Sequence, residues 1–150
     1  DTPTFIGRRQ QHIDCTATSA IEWDKASRND EGGITGYLTN EHQYDLFVRQ
    51  GDKDKQIITL RYRLGNMQHT EKEVVLPKGK FNLRVEGSKD YYSFSYSTDN
   101  KTFNTLGTMD VRYLSSETVG GFTGIYFALY AASQKNSKGV ADFEWFDYAY

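Results

Sequence analysis

Thr123-Gly124-Ile125-Tyr126-Phe127-Ala128-Leu129-Tyr130-Ala131 is an almost unbroken apolar run. A run of that length suits a strand buried on both faces or set in a sandwich core. After the polar residues Ser133–Lys138 the chain continues Gly139-Val140-Ala141-Asp142-Phe143-Glu144-Trp145-Phe146-Asp147-Tyr148-Ala149-Tyr150. Here Val140, Asp142, Glu144, Phe146 and Tyr148 fall on one parity, and Ala141, Phe143, Trp145, Asp147 and Ala149 on the other. Side chains alternate between the two faces of a strand, and neither set is purely apolar. The reading is a strand with a core face and a second, partly covered face. With the run before it, it makes a closing hairpin whose aromatic rings tie the chain end into the core.

The rest of the chain extends the same pattern. Gln56–Leu64 sets Ile58, Leu60, Tyr62 and Leu64 against Ile57, Thr59, Arg61 and Arg63. His42–Gln50 sets Tyr44, Leu46 and Val48 against Gln43, Asp45, Phe47 and Arg49. Further strands are expected at Gly32–Leu38, Met67–Leu76, Lys80–Glu86, Tyr91–Ser97 and Phe103–Thr108, with Asp110–Thr118 irregular or one helical turn. Arg8–Trp23 reads as one long strand after a lead-in over Asp1–Gly7. Turn residues recur at Gly51-Asp52-Lys53-Asp54, Gly65-Asn66, Pro77-Lys78-Gly79, Gly87–Asp90 and Asp99-Asn100-Lys101. This pattern of about ten strands predicts an all-β, antiparallel sandwich of two sheets, each with about five to seven strands.

Composition agrees. The chain has 150 residues, enough to bury a core in a single domain over 1–150, and it carries 11 Tyr and 9 Phe against 2 Pro. A net charge of −2, with Lys and Arg interspersed among Asp and Glu, argues against a nucleic-acid partner. No apolar stretch reaches the roughly 18 residues that a membrane-spanning helix needs, so no membrane partner is expected. The first residue is Asp1, not Met, which fits a mature protein, a fragment or an excised piece, and the compartment stays open. Cys15 is the one cysteine; its alternation with Ile13 and Ala17 puts it on an inward face as a small hydrophobe.

Few residues advertise chemistry. Asp142, Glu144 and Asp147 lie in aromatic sequence, but nothing fixes a pair at the separation that glycoside hydrolysis requires. Strand carboxylates more commonly satisfy neighbouring donors. His12, His42 and His69 lack metal-motif spacing. Gly32-Gly33 and Gly120-Gly121 fit neither a nucleophile elbow nor a phosphate loop and read as bends or bulges. Exposed aromatics can stack on sugar rings, the candidates being Tyr91, Tyr113, Tyr126, Tyr130 and Trp145, with core packing as the ordinary alternative for most of them. Asn100-Lys101-Thr102 has the form of a glycosylation sequon but is better explained as a turn.

Several segments together resemble one family. Phe5-Ile6-Gly7-Arg8-Arg9-Gln10-Gln11-His12, Tyr92-Ser93-Phe94-Ser95-Tyr96-Ser97, Tyr113-Leu114-Ser115, Gly121-Phe122-Thr123-Gly124 and Ala141–Tyr148 resemble the C-terminal β-sandwich of family 43 glycoside hydrolases, the β-xylosidase and α-L-arabinofuranosidase group. The resemblance implies a concanavalin A-like jelly roll that follows a catalytic β-propeller of the same polypeptide. The acid and base would lie on that propeller, so this chain alone would not hydrolyse xylan or arabinan oligosaccharides. It also implies that a sandwich loop helps close the substrate pocket with an aromatic ring, a role that matches Phe122. Arg8, Arg9, Gln10, Gln11 and His12 would face the propeller, or else form a hydrogen-bonded network at a sheet edge. A carbohydrate platform of Tyr126, Tyr130 and Trp145 would make the chain an autonomous sugar-binding module instead. No cofactor is required, although such jelly rolls often hold a structural Ca²⁺ near the last strand, for which Asp142 is a candidate ligand.

Overall fold

The computed structural model describes residues 4–114, 125–133 and 137–150. Its strands are β1 (Thr4–Arg9), β2 (Cys15–Asp24), β3 (Glu31–Thr39), β4 (His42–Gln50), β5 (Lys55–Leu64), β6 (Met67–Pro77), β7 (Lys80–Gly87), β8 (Tyr91–Ser97), β9 (Asn104–Asp110), β10 (Tyr126–Ala132) and β11 (Val140–Ala149), with a 3-10 turn over Val111–Leu114. They form two antiparallel sheets. One has six strands in the order β1-β10-β3-β4-β5-β6, the other five in the order β11-β2-β7-β8-β9. The expected two-sheet antiparallel sandwich is the fold.

Alternation decides which side chains meet between the sheets. Ile34, Tyr44, Leu46, Val48, Ile58, Leu60 and Phe127 come from the six-stranded sheet. Ala17, Ile21, Trp23, Phe81, Leu83, Val85 and Phe94 come from the other. All are buried, and Cys15 joins them as expected. The Trp23 Nε1–H donates to the Val48 carbonyl at 3.0 Å, so a polar group in the middle of the core also links the two layers.

Four local expectations need correction. The long strand over Arg8–Trp23 is two strands in different sheets, and the supposed lead-in contains β1. Residues 10–14 are largely polar and give no continuous core face; the Gln10 N–H instead bonds the Ile125 carbonyl at 2.7 Å, and the chain crosses between layers. Ile13 is consequently exposed rather than inward. Second, β10 and β11 do not form a hairpin. Both edges of β10 are already taken by β1 and β3, so β11 completes the other sheet beside β2. Third, the mixed parity of β11 comes from a register shift between Phe143 and Phe146. Ala141 and Phe143 turn to the core before it, Phe146 and Tyr148 after it, because a bulge adds a residue and exchanges the faces. Fourth, Gly32 and Gly33 lie in unbroken register within β3. A Cβ at Gly33 would sit 2.0 Å from the Leu46 carbonyl oxygen, so glycine there permits close approach of neighbouring backbone.

Candidate functional site

The polar run Arg8–His12, which begins in the last two residues of β1, folds back on the chain end. Arg8 lies over the Tyr148 ring at 4.4 Å, and Arg9 over the Tyr126 ring at 4.7 Å while its Nη2 donates to the Tyr126 hydroxyl at 2.8 Å. The Gln10 side chain accepts a hydrogen bond from the Tyr92 hydroxyl at 2.8 Å and donates to the His12 carbonyl at 2.9 Å. The Gln11 N–H donates to the Tyr148 hydroxyl at 3.1 Å. The His12 ring stacks on Tyr150 at 3.7 Å, with its Nδ1 3.3 Å from the Tyr148 hydroxyl. Sequence placed these residues at an interface or in an edge network. The network exists, and Arg8, Arg9 and Gln11 remain exposed on it. Ile6, Ile13 and Tyr150 are large apolar side chains also exposed nearby in sequence or contact.

Phe122 lies outside the described residues. Among the described residues that follow it in sequence, Ile125 accepts at its carbonyl from the Gln10 N–H at 2.7 Å.

Of the sugar-platform candidates, Tyr130 and Trp145 both line one groove, and Tyr126 is not part of its lining. Tyr126 and Tyr130 have the same parity on β10 and face away from the core, on the outer side of the six-stranded sheet. Tyr130 is buried there, and its hydroxyl donates to Glu31 Oε2 at 2.7 Å. Burial, with the Asp45 and Glu31 charges nearby, pushes its phenol well above the ordinary value. Trp145 belongs to the other sheet, on the β11 bulge, where its carbonyl accepts from the Ser19 hydroxyl at 2.5 Å. It lines a groove of about 330 Å³ with Ile6, Leu129, Tyr130 and Phe143 on the β1–β11 side of the sandwich. Tyr91 and Tyr113 are exposed near the 3-10 turn. Asp142 is exposed opposite Glu22, and among the described residues no three His, Cys, Asp or Glu side chains gather to hold a metal.

Sequence reasoning missed the most organised polar cluster. Arg61 on β5 stands opposite Asp45 on β4, and β3 brings in Glu31. The guanidinium donates to both Glu31 oxygens at 3.1 and 2.8 Å, and twice to Asp45 Oδ2 at 3.3 and 2.8 Å. Its flat face covers Phe47 at 4.5 Å. Gln43 Nε2 adds a bond to Asp45 at 3.2 Å. Burial pushes the Asp45 carboxyl up, and the Arg61 charge only partly offsets this. The Asp45–Arg61 pairing could have been found from the two alternating segments once their hairpin register was fixed. Glu31 carried no such signal.

A family model for the β-xylosidase C-terminal concanavalin A-like domain matches residues 1–149. The chain is 28% identical over 149 residues to the non-reducing end α-L-arabinofuranosidase BoGH43B of Bacteroides ovatus, which covers 99% of this chain and 28% of that protein. It is 24% identical over 155 residues to a β-xylosidase of Bacillus subtilis, covering 98% of this chain and 29% of that one. Among solved structures, Bacteroides ovatus Xyloglucan PUL GH43B superposes with a TM-score of 0.80 at 28% identity, over 96% of this chain and 29% of that one. The xylan β-1,4-xylosidase of Bacillus halodurans C-125 has a TM-score of 0.86 at 18% identity, over 99% of this chain and 30% of that one, a likeness of fold. The chain thus spans under a third of the length of the curated relatives it matches.

Proposed function

We propose that this chain, which belongs to the family of β-xylosidase C-terminal concanavalin A-like domains, packs against a catalytic β-propeller of the same polypeptide and helps to shape that propeller's substrate pocket. The carrying observation is the family match over residues 1–149 in a chain that spans 28% of its arabinofuranosidase relative. The relatives' names point to xylosides and arabinosides from plant polysaccharides as substrates. The acid and base would belong to the propeller, and the sandwich would act on the rate only through the geometry of the bound substrate.

The docking side in this proposal is the edge made by β1, the Arg8–His12 run and β11. Ile6 is 69% exposed, Ile13 60% and Tyr150 82%, and the Trp145 ring is partly open beside them. Apolar side chains of this size, framed by arginines, suit an interface within a chain better than open water. In this reading the Phe122 ring would cover the substrate and exclude water from it.

The test uses the full-length enzyme. Phe122→Ala is expected to lower kcat/KM about tenfold on short xylosides or arabinosides, about 1.4 kcal/mol of transition-state stabilisation, with melting unchanged. Unchanged kcat and KM would remove Phe122 from the pocket. Ile6→Asp, combined with Trp145→Asp, is expected to separate the melting of the two domains; a single unaltered transition would remove this edge from the interface.

A further inference from the structure

We infer that the depression on the outer face of the six-stranded sheet is a binding subsite for a neutral oligosaccharide, separate from any site that the propeller carries. It has a volume of about 580 Å³ and is lined by Phe5, Glu31, Tyr37, Asp45, Arg61 and Tyr130. That volume lies within the range of small-ligand sites.

Charge narrows the class of ligand. Two carboxylates face one guanidinium, leaving a formal excess of one negative charge. Anionic ligands are therefore repelled. The guanidinium lies within 2.8 Å of both carboxylates, where it opposes a metal cation. What remains favoured is an uncharged molecule rich in hydroxyl donors. The Glu31 side chain is about a fifth exposed and keeps lone pairs beyond those that Arg61 and Tyr130 use, and sugar hydroxyls are suited to meet them.

The rim supplies the rest. Phe5 and Tyr37 meet edge to face, their centroids 5.2 Å apart, and Phe5 is 44% exposed. Such rings offer apolar surface to the C–H face of a pyranose or furanose ring. Asn40 accepts from the Tyr37 hydroxyl at 2.8 Å through Oδ1, and its amide nitrogen is a further donor at the rim. Gln43 is held through its nitrogen by Asp45, which leaves its oxygen as an acceptor. The site therefore combines acceptors, donors and aromatic surface, mostly on sheet residues whose positions are already fixed, with Asn40 in the turn between β3 and β4.

The experiment is ligand-observed NMR and calorimetry on the complete chain, with neutral xylo-oligosaccharides and arabino-oligosaccharides as probes. Saturable binding at millimolar ligand is expected, weakened about tenfold by Tyr37→Ala and mostly retained by Tyr37→Phe. Asn40→Ala is expected to weaken it less. Tyr91→Ala, on an exposed ring elsewhere, is expected to leave it unchanged, and melting curves check that each variant is folded. Three results would each overturn the inference: no saturable binding of either probe, equal binding by Tyr37→Ala, or saturation of the same site by Ca²⁺. Xylo-oligosaccharides bearing a uronic acid that bind as tightly as neutral ones would contradict its charge argument. Because the readout is binding by this chain, its failure leaves the pocket-shaping role to stand or fall on the Phe122 experiment.

Discussion

The two outer faces of the sandwich are both well covered, but by different means. On the five-stranded sheet the central outward positions are small: Thr18, Ala20, Ser95 and Ser97 are buried. Long side chains reach across them, such as Arg84, whose guanidinium lies 3.6 Å from the Phe103 ring centroid, and Lys80, whose ammonium donates to Glu144 at 2.5 Å. The Lys80 and Glu144 side chains are nearly half exposed. On the six-stranded sheet the central outward positions are Asp45, Phe47, Thr59 and Tyr130, large or polar groups that are themselves buried. The first face is a screen over small residues. The second is a partial interior built on the outside of a sheet. Charges cost little in the screen, whereas in the interior they persist only because they are paired.

The largest test of that contrast removes Arg61. Arg61→Ala removes the guanidinium hydrogen bonds from Asp45 and Glu31 and leaves the Asp45 charge buried without its cation, and is expected to cost about 3–5 kcal/mol in urea unfolding. If Arg61→Ala proves as mild as a surface substitution, the six-stranded face is no interior.

A smaller effect of opposite sign comes from Thr59. Its Oγ1 is buried with no hydrogen-bond partner among the described residues, on the same face as Arg61. Replacing it by the isosteric Thr59→Val is expected to stabilise the fold by about 1 kcal/mol. A loss of stability instead would mean that the hydroxyl is satisfied in solution.

The smallest test is acid titration. The Thr102 and Lys101 amides and the Ser97 hydroxyl hold the Asp99 carboxyl down, to about 2. Its folded value is thus depressed, so its contribution is fully present above the ordinary 3.8 and fades as pH falls from there through about 2. Asp45 is shifted the other way by burial. Its protonated form is favoured in the fold, which therefore gains relative stability as pH falls through the raised value toward 3.8. Carboxyl NMR titration should show the two moving in opposite directions from the ordinary value. Asp99→Asn should flatten the acid limb of the stability curve.

Much of the architecture was legible because alternation is a local property. The predicted bounds of β4, His42–Gln50, agree with the structure, and β5 to β9 lie within a few residues of their expected places. Asn100 adopts a φ of 58°, as the turn reading of Asp99-Asn100-Lys101 requires of one residue, which leaves the sequon pattern explained by the turn. The site was less legible. The outward parity of Asp45 and Arg61 looked like ordinary solvent-facing polarity, and nothing local marks a sheet face that becomes enclosed.

By itself the sequence determined the fold class, most strand positions and the family resemblance, because these depend on residue type, spacing and short motifs. Only the tertiary structure decided strand order. It sent β10 and β11 to different sheets because β10 already had partners on both edges. It also moved the bulge into β11, which exchanged that strand's two faces midway. And it joined Glu31, Asp45 and Arg61 from three neighbouring strands into one partly buried cluster, since lateral pairing, unlike alternation, depends on residues far apart in the chain.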